Sequence, residues 1–119
     1  MSIEKQCIYI NFEMNSAGAL YAAYGKGRKG RSHFSDEVYE SVLPEVYKAE
    51  DCWGIKLLIP ETLIKELGKA DIENGDVFYC NFYKISETPA IEHYGTFAEI
   101  KNETPNFHLP QYFAKVRVE

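Results

Sequence analysis

The feature that most constrains this chain is a two-residue rhythm of apolar and polar side chains, interrupted every few residues by turn formers. In residues 8–14 the apolar set is Ile8, Ile10, Phe12 and Met14, while the alternate set is Tyr9, Asn11 and Glu13, continued by Asn15. The alternate set is polar apart from the amphipathic Tyr9. Successive side chains of a strand point to opposite faces, so the pattern predicts a strand with one buried and one wet face. Asn15-Ser16-Ala17-Gly18 supplies turn chemistry, which makes residues 19–24 the expected hairpin partner.

The rhythm recurs along the chain. Residues 25–31 form a flexible basic loop. Residues 35–40 predict one helical turn, with Ser35 as N-cap and Asp36 and Glu37 at the positive end of its dipole. Residues 42–49 predict a strand that Pro44 confines to an edge or a bulge. In residues 53–59, Trp53, Ile55, Leu57 and Ile59 share a face, which assigns Trp53 to the core, and Pro60 ends the strand. Residues 61–67 predict a short helix with Leu63, Ile64 and Leu67 on one side and Gly68 just past its end. After the Asn74-Gly75 turn, residues 76–85 predict a long strand, apolar on both faces around Cys80 and Asn81 and therefore central. Residues 92–100 and 112–118 predict two more strands, joined by the proline-bracketed loop 105–110. Tyr94 and Phe97 lie on opposite faces of the first of these. Nine tyrosines, seven phenylalanines and one tryptophan in 119 residues suit strands. The fold class is mainly β: one domain over residues 1–119, an antiparallel β-sandwich with one short helix near 61–67.

Charge and motif narrow the function. A net charge of −5 removes bulk attraction to nucleic acid or an anionic membrane, and no partner of either kind is expected. No apolar run approaches the roughly 18 residues of a membrane span. Residues 1–6 are polar and lack a secretory leader's apolar stretch, and Cys7, Cys52 and Cys80 are an odd, widely spaced set. The expectation is a cytoplasmic protein without a disulfide scaffold.

Residues 25–32, GKGRKGRS, stand one residue from a phosphate-binding loop, with Arg31 in the place of its lysine. A guanidinium does not replace that compact ammonium, so the stretch is read as a solvated hairpin loop. Arg28 or Arg31 would then hydrogen-bond a polar ligand at the sheet's rim. His33, His93 and His108 have no metal-ligand spacing, and His108 between Phe107 and Leu109 is read as a packed imidazole. No base neighbours a cysteine, and no spacing nominates a carboxylate pair. No catalytic residue, metal or cofactor is expected. The stripe Asn11, Glu13 and Asn15 is either a solvated outer face or a sugar-binding one. Amides and carboxylates on a rigid strand take hydroxyls while a neighbouring ring covers the C–H face.

The run Tyr9-Ile10-Asn11-Phe12-Glu13-Met14-Asn15 with Gly18, Leu20 and Gly27-Arg28 resembles the middle of carbohydrate-binding family 9-like domains. So do Trp53-Gly54 leading to Ile59-Pro60, then Asn81-Phe82-Tyr83-Lys84, His93, Thr96-Phe97, Pro105-Asn106-Phe107-His108-Leu109-Pro110 and Phe113. The shared order covers residues 7–118. The family's first strands have no counterpart before Gln6, so the resemblance is to the later part of such a domain.

The resemblance implies a jelly-roll-like β-sandwich that binds sugars without catalysis, often as an accessory to glycan-degrading enzymes. In that reading Asn11, Glu13 and Asn15 contact the hydroxyls of a mono- or oligosaccharide, Arg28 reaches in from the loop, and Phe97 stacks. Phe97 stands where the family usually carries tryptophan. The alternative class is a structural or protein-interaction sandwich that has lost its sugar site, and a small-molecule enzyme on the same scaffold is a third. Missing first strands leave a sheet face uncovered, which predicts a homodimer or association through that face.

Overall fold

The computed structural model describes residues 1–2, 8–65, 67–68 and 71–119. Strand β1 (Tyr9–Met14) pairs antiparallel with β2 (Leu20–Gly25), in register from Tyr9 opposite Gly25 to Met14 opposite Leu20. Asn15 builds the turn between them. Its side-chain oxygen accepts from the backbone N–H of Ala17 (3.0 Å) and Ala19 (3.1 Å), and Gly18 adopts φ +85°, a conformation that favours glycine. The short β3 (Ser32–His33) adds to the far side of β2.

Helix α1 (Asp36–Ser41) follows, acidic in its first turn. Ser35 precedes it in an extended conformation, and its carbonyl accepts from the N–H of Val38 and Tyr39. Strands β4 (Glu45–Lys48) and β5 (Trp53–Lys56) form a hairpin of their own, and Pro44 lies just outside it rather than within a strand. Helix α2 (Glu61–Lys65) buries Leu63 and Ile64, and Gly68 takes φ +86° beyond it. The remaining strands are β6 (Val77–Cys80), β7 (Tyr83–Ser86), β8 (His93–Thr96) and β9 (Ala114–Arg117). β6 pairs with β9 and β7 with β8, all antiparallel.

Met1 and Ser2 stitch two of these sheets together. Met1 exchanges backbone hydrogen bonds with Ile10 on β1 (2.7 and 2.9 Å), and Ser2 with Tyr79 on β6 (2.8 and 2.7 Å). A hydrogen-bonded layer thus runs from β3 through β2 and β1 to β6 and β9.

The alternation read on β1 sets the core. Ile10 and Ala22 pack with Phe34, Val42 and Leu63 into a buried cluster. Phe12, Leu20, Leu57 and Ile59 close over it together with Val38 and Tyr39 of α1. Tyr39 pins the sheet to the helix, since its hydroxyl accepts from the Ala22 N–H (2.9 Å) and donates to the Ala22 carbonyl. The chain is a mainly β, antiparallel sandwich, as its pattern predicts, with two short helices where the pattern gives one helix near 61–67 and a single helical turn at 35–40.

Two expectations are corrected. The long central strand over 76–85 is interrupted: Asn81 and Phe82 separate β6 from β7, which belong to different sheets. Trp53 is not a core residue but 44% exposed. β5 ends at Lys56, so Leu57 and Ile59 reach the core outside the strand, and their parity says nothing about Trp53. Cys52 is exposed and Cys80 partly buried, both as free thiols, and Cys7 lies outside the described residues.

Candidate functional site

The face of β1 opposite the Ile10 cluster carries Tyr9, Asn11 and Glu13. Directly paired strand residues project from the same face. Glu13 is paired with Tyr21, and Asn11 with Ala23, which is paired in turn with His33. The face therefore presents Asn11, Glu13, Tyr21, Ala23 and His33 together.

One end of it is closed. Tyr9 is buried, its hydroxyl shares a 2.7 Å hydrogen bond with His108 Nδ1, and its ring meets Phe113 edge-on at 5.7 Å. The Arg31 guanidinium lies 4.4 Å from the Tyr9 ring centroid, a cation–π contact. Its Nη atoms donate to the carbonyls of Gly27 (2.8 Å), Ala23 (3.0 Å) and Tyr9 (3.3 Å). Arg31 thus ties the 25–31 loop onto the sheet and is engaged within the protein. Burial raises the Tyr9 hydroxyl's pKa, against the pull of Arg31. Burial holds His108 below the usual imidazole range, helped by the Arg31 charge, opposed by Glu13 and helped again by Arg28. His108 is the packed imidazole that its loop predicts.

The other end is open. Asn11 Nδ2 donates to Glu13 Oε1 at 3.0 Å, which fixes one carboxylate oxygen and leaves the other toward solvent. The Asn11 side-chain oxygen is buried without a hydrogen-bond partner among the described residues. Tyr21 is 39% exposed, and His33 meets its ring edge-on at 5.4 Å and 81°. Exposed Arg28 lies in the 25–31 loop that Arg31 ties to the Tyr9 end of the face, and it makes no hydrogen bond or ion pair among the described residues.

Of the five residues singled out in the sequence, the structure brings Asn11 and Glu13 together at this open end, while Arg28 lies in the loop that leaves β2 at Gly25, opposite Tyr9 at the closed end. Asn15 is placed differently, because its side-chain oxygen holds the β1–β2 turn. Phe97 is 74% exposed and meets Phe82 edge-on at 5.9 Å. In the β7–β8 register Tyr83 pairs with Thr96 and Ile85 with Tyr94, so Phe82 and Phe97 project from the opposite face of that hairpin. The Tyr83 side is the one turned toward the Tyr9 frame: Tyr83 stacks on Phe107 at 4.2 Å and 12°, and Phe107 also meets Tyr94. Burial pushes the Tyr83 hydroxyl up to about 12, against a pull from the Asn81 side chain, and the hydroxyl has no partner within hydrogen-bond geometry among the described residues. Neighbouring Asn81 is already engaged with Phe82, Thr96 and Ala98.

Tyr21, His33 and the Arg31–Tyr9–His108 frame escape a reading of the sequence alone. The turn at 15–18 carries the signal for Tyr21, since its length places residue 21 opposite residue 13. Arg31 has no local signal, because its three acceptors lie on two strands and a loop. Among the described residues no group of three or more His, Cys, Asp or Glu is placed to hold a metal ion, and no helix is long and apolar enough to cross a membrane.

The model of Carbohydrate-binding family 9 matches residues 1–118. The chain belongs to that family. Family 9 domains are binding modules, and an antiparallel sandwich with a polar, partly aromatic sheet face is consistent with that role. A crystal structure of a candidate carbohydrate-binding protein from Bacteroides uniformis ATCC 8492 is similar, at 27% identity and a TM-score of 0.79. The similarity covers 98% of this chain and 57% of that one, so this chain spans little more than half of its relative's length. Comparison with curated proteins finds no match.

Proposed function

We propose that this family 9 chain is a non-catalytic module that binds a mono- or oligosaccharide at the open end of the β1–β2–β3 face. The observation that carries the reading is the exposed Asn11–Glu13 hydrogen bond at the open end of this sheet face. A carboxylate oriented by a neighbouring amide presents its free oxygen to a hydroxyl at little further entropic cost. Arg28, which makes no hydrogen bond or ion pair among the described residues, would reach a second hydroxyl from the loop at the Tyr9 end. Phe97 enters as an aromatic surface on another face, available to a further ring of a longer glycan.

A small set of hydroxyl contacts and one ring correspond to a net binding free energy of about 4–6 kcal/mol, or affinities from roughly millimolar to high micromolar. Titration calorimetry against a glycan panel tests this. Binding heats that disappear in Glu13→Gln are expected, and uniformly null heats at millimolar sugar would overturn the reading. The interaction-module reading draws on a different observation, the exposed pair Phe82 (66%) and Phe97 (74%), which suits an apolar partner.

A further inference from the structure

We propose that the ring on which the sugar stacks is Tyr21, held in place by His33. This inference rests on the carbohydrate reading of the Asn11–Glu13 face and identifies the group that completes it. A sugar bound to a protein face needs two things at one place: polar atoms for its hydroxyls and a flat apolar surface for its C–H face. The register supplies both. Glu13 and Tyr21 are direct cross-strand partners, and such partners have Cβ atoms about 4.5–5.5 Å apart on one face. A pyranose lying on the Tyr21 ring is therefore within reach of the solvent-facing Glu13 oxygen.

Three further observations fit a platform. Tyr21 is 39% exposed, which leaves the residue accessible to a ligand while His33 packs against its ring. Its hydroxyl makes no hydrogen bond among the described residues, so the ring is not held by its tip. His33 instead meets it edge-on at 5.4 Å, and His33 is itself fixed by pairing with Ala23. An edge-on neighbour restrains the ring's tilt while leaving a face free. His33 is a positioning residue in this arrangement. Phe97 lacks this company: its ring contact is with Phe82, on the outward face of β7–β8.

The test uses the whole chain with methyl β-glucoside, methyl β-xyloside, methyl β-galactoside and methyl α-mannoside as probes. It reads calorimetric affinity together with proton NMR of the sugar. Stacking moves the sugar's C–H protons upfield and gives cross-relaxation to the Tyr21 ring protons in the unaltered protein. Tyr21→Ala is expected to lower affinity about tenfold and to remove the upfield shift, while Tyr21→Phe stays within about twofold of the unaltered chain. Phe97→Ala is expected to bind these single-ring probes unchanged. Binding that survives Tyr21→Ala but is lost in Phe97→Ala overturns the inference and leaves the carbohydrate reading standing. So does binding without cross-relaxation to Tyr21, a result that does not depend on whether the variant folds. Absence of heat and shift with every probe in the unaltered chain overturns both.

Discussion

His108 is a titratable ring held inside the closed end of the face, and its environment makes stability depend on pH. Burial and the Arg31 charge lower its pKa in the folded chain below the ordinary value of 6.5, with Glu13 opposing and Arg28 assisting. Between that lowered value and 6.5 the unfolded chain binds the proton more readily than the folded one. The contribution is thus in place above about 6.5 and is lost as the pH falls through the window below it. Urea midpoints measured at intervals between pH 7.5 and 5 are expected to decline for the unaltered chain and to decline less for His108→Gln. Matching profiles would show that the imidazole titrates as freely folded as unfolded. Residue identity alone made parts of this region legible. A histidine bracketed by Phe107 and Leu109 between two prolines reads as packed, and Glu13 reads as exposed from its parity, whereas Asn11 on the same face is half-buried with its side-chain oxygen covered. Asn15 was not separable from them by type, because the amide oxygen that suits a sugar hydroxyl also suits two backbone N–H groups at a turn.

At the scale of elements, the hairpin β1–β2, the strands β4 and β5 and the helix near 61–67 follow from pattern, since alternation and turn residues are local information. The break at residues 81–82 does not. Val77, Phe78, Tyr79 and Cys80 run into Phe82, Tyr83 and Ile85 with no glycine or proline between them. The strand ends where Asn81 turns its side chain onto residues 96–98, accepting from the Ala98 N–H at 2.8 Å and donating to the Ala98 carbonyl at 3.0 Å. That partner lies 17 residues away, beyond any periodicity window. Trp53 misleads for a related reason: parity was extended from the strand into a coil that follows different geometry. Its true position has a measurable consequence. At 44% exposure, and as the single tryptophan, it is expected to emit with the red-shifted maximum of a hydrated indole. Trp53→Ala is expected to cost no more than about 1 kcal/mol, against roughly 3–5 for a core ring. A blue-shifted maximum with a core-sized loss in chemical denaturation would return Trp53 to the interior.

Across the whole molecule, the sandwich is more open than its length requires. The radius of gyration is 15.0 Å, where about 13.5 Å is usual for a compact domain of this size. The excess accompanies large apolar side chains left at the surface, among them Leu43, Leu58, Ile91, Phe82 and Phe97. Two features govern how other chains would meet this one. The outer edge of β9 presents Lys115 and Arg117, charged side chains that discourage pairing of a second strand along it. Phe82 and Phe97 instead form a contiguous apolar surface on the outward face of β7–β8, flanked by Lys84. Identical chains carry the same exposed pair, and a two-fold contact covers both copies at once, so a symmetric dimer through this surface is the expected arrangement. Its interface would also decide between two roles for Phe97, since a ring covered by a second copy is not free to stack on a glycan. Light scattering coupled to size exclusion is expected to return a mass near twice 13.7 kDa at high concentration, falling to the monomer on dilution. Phe97→Asp places an unpaired charge at the centre of the contact and is expected to hold the chain at 13.7 kDa throughout, with its circular dichroism unchanged. A monomer at every concentration for the unaltered chain would mean that the Phe82–Phe97 surface is tolerated in water, and Phe97 would then remain open to a sugar.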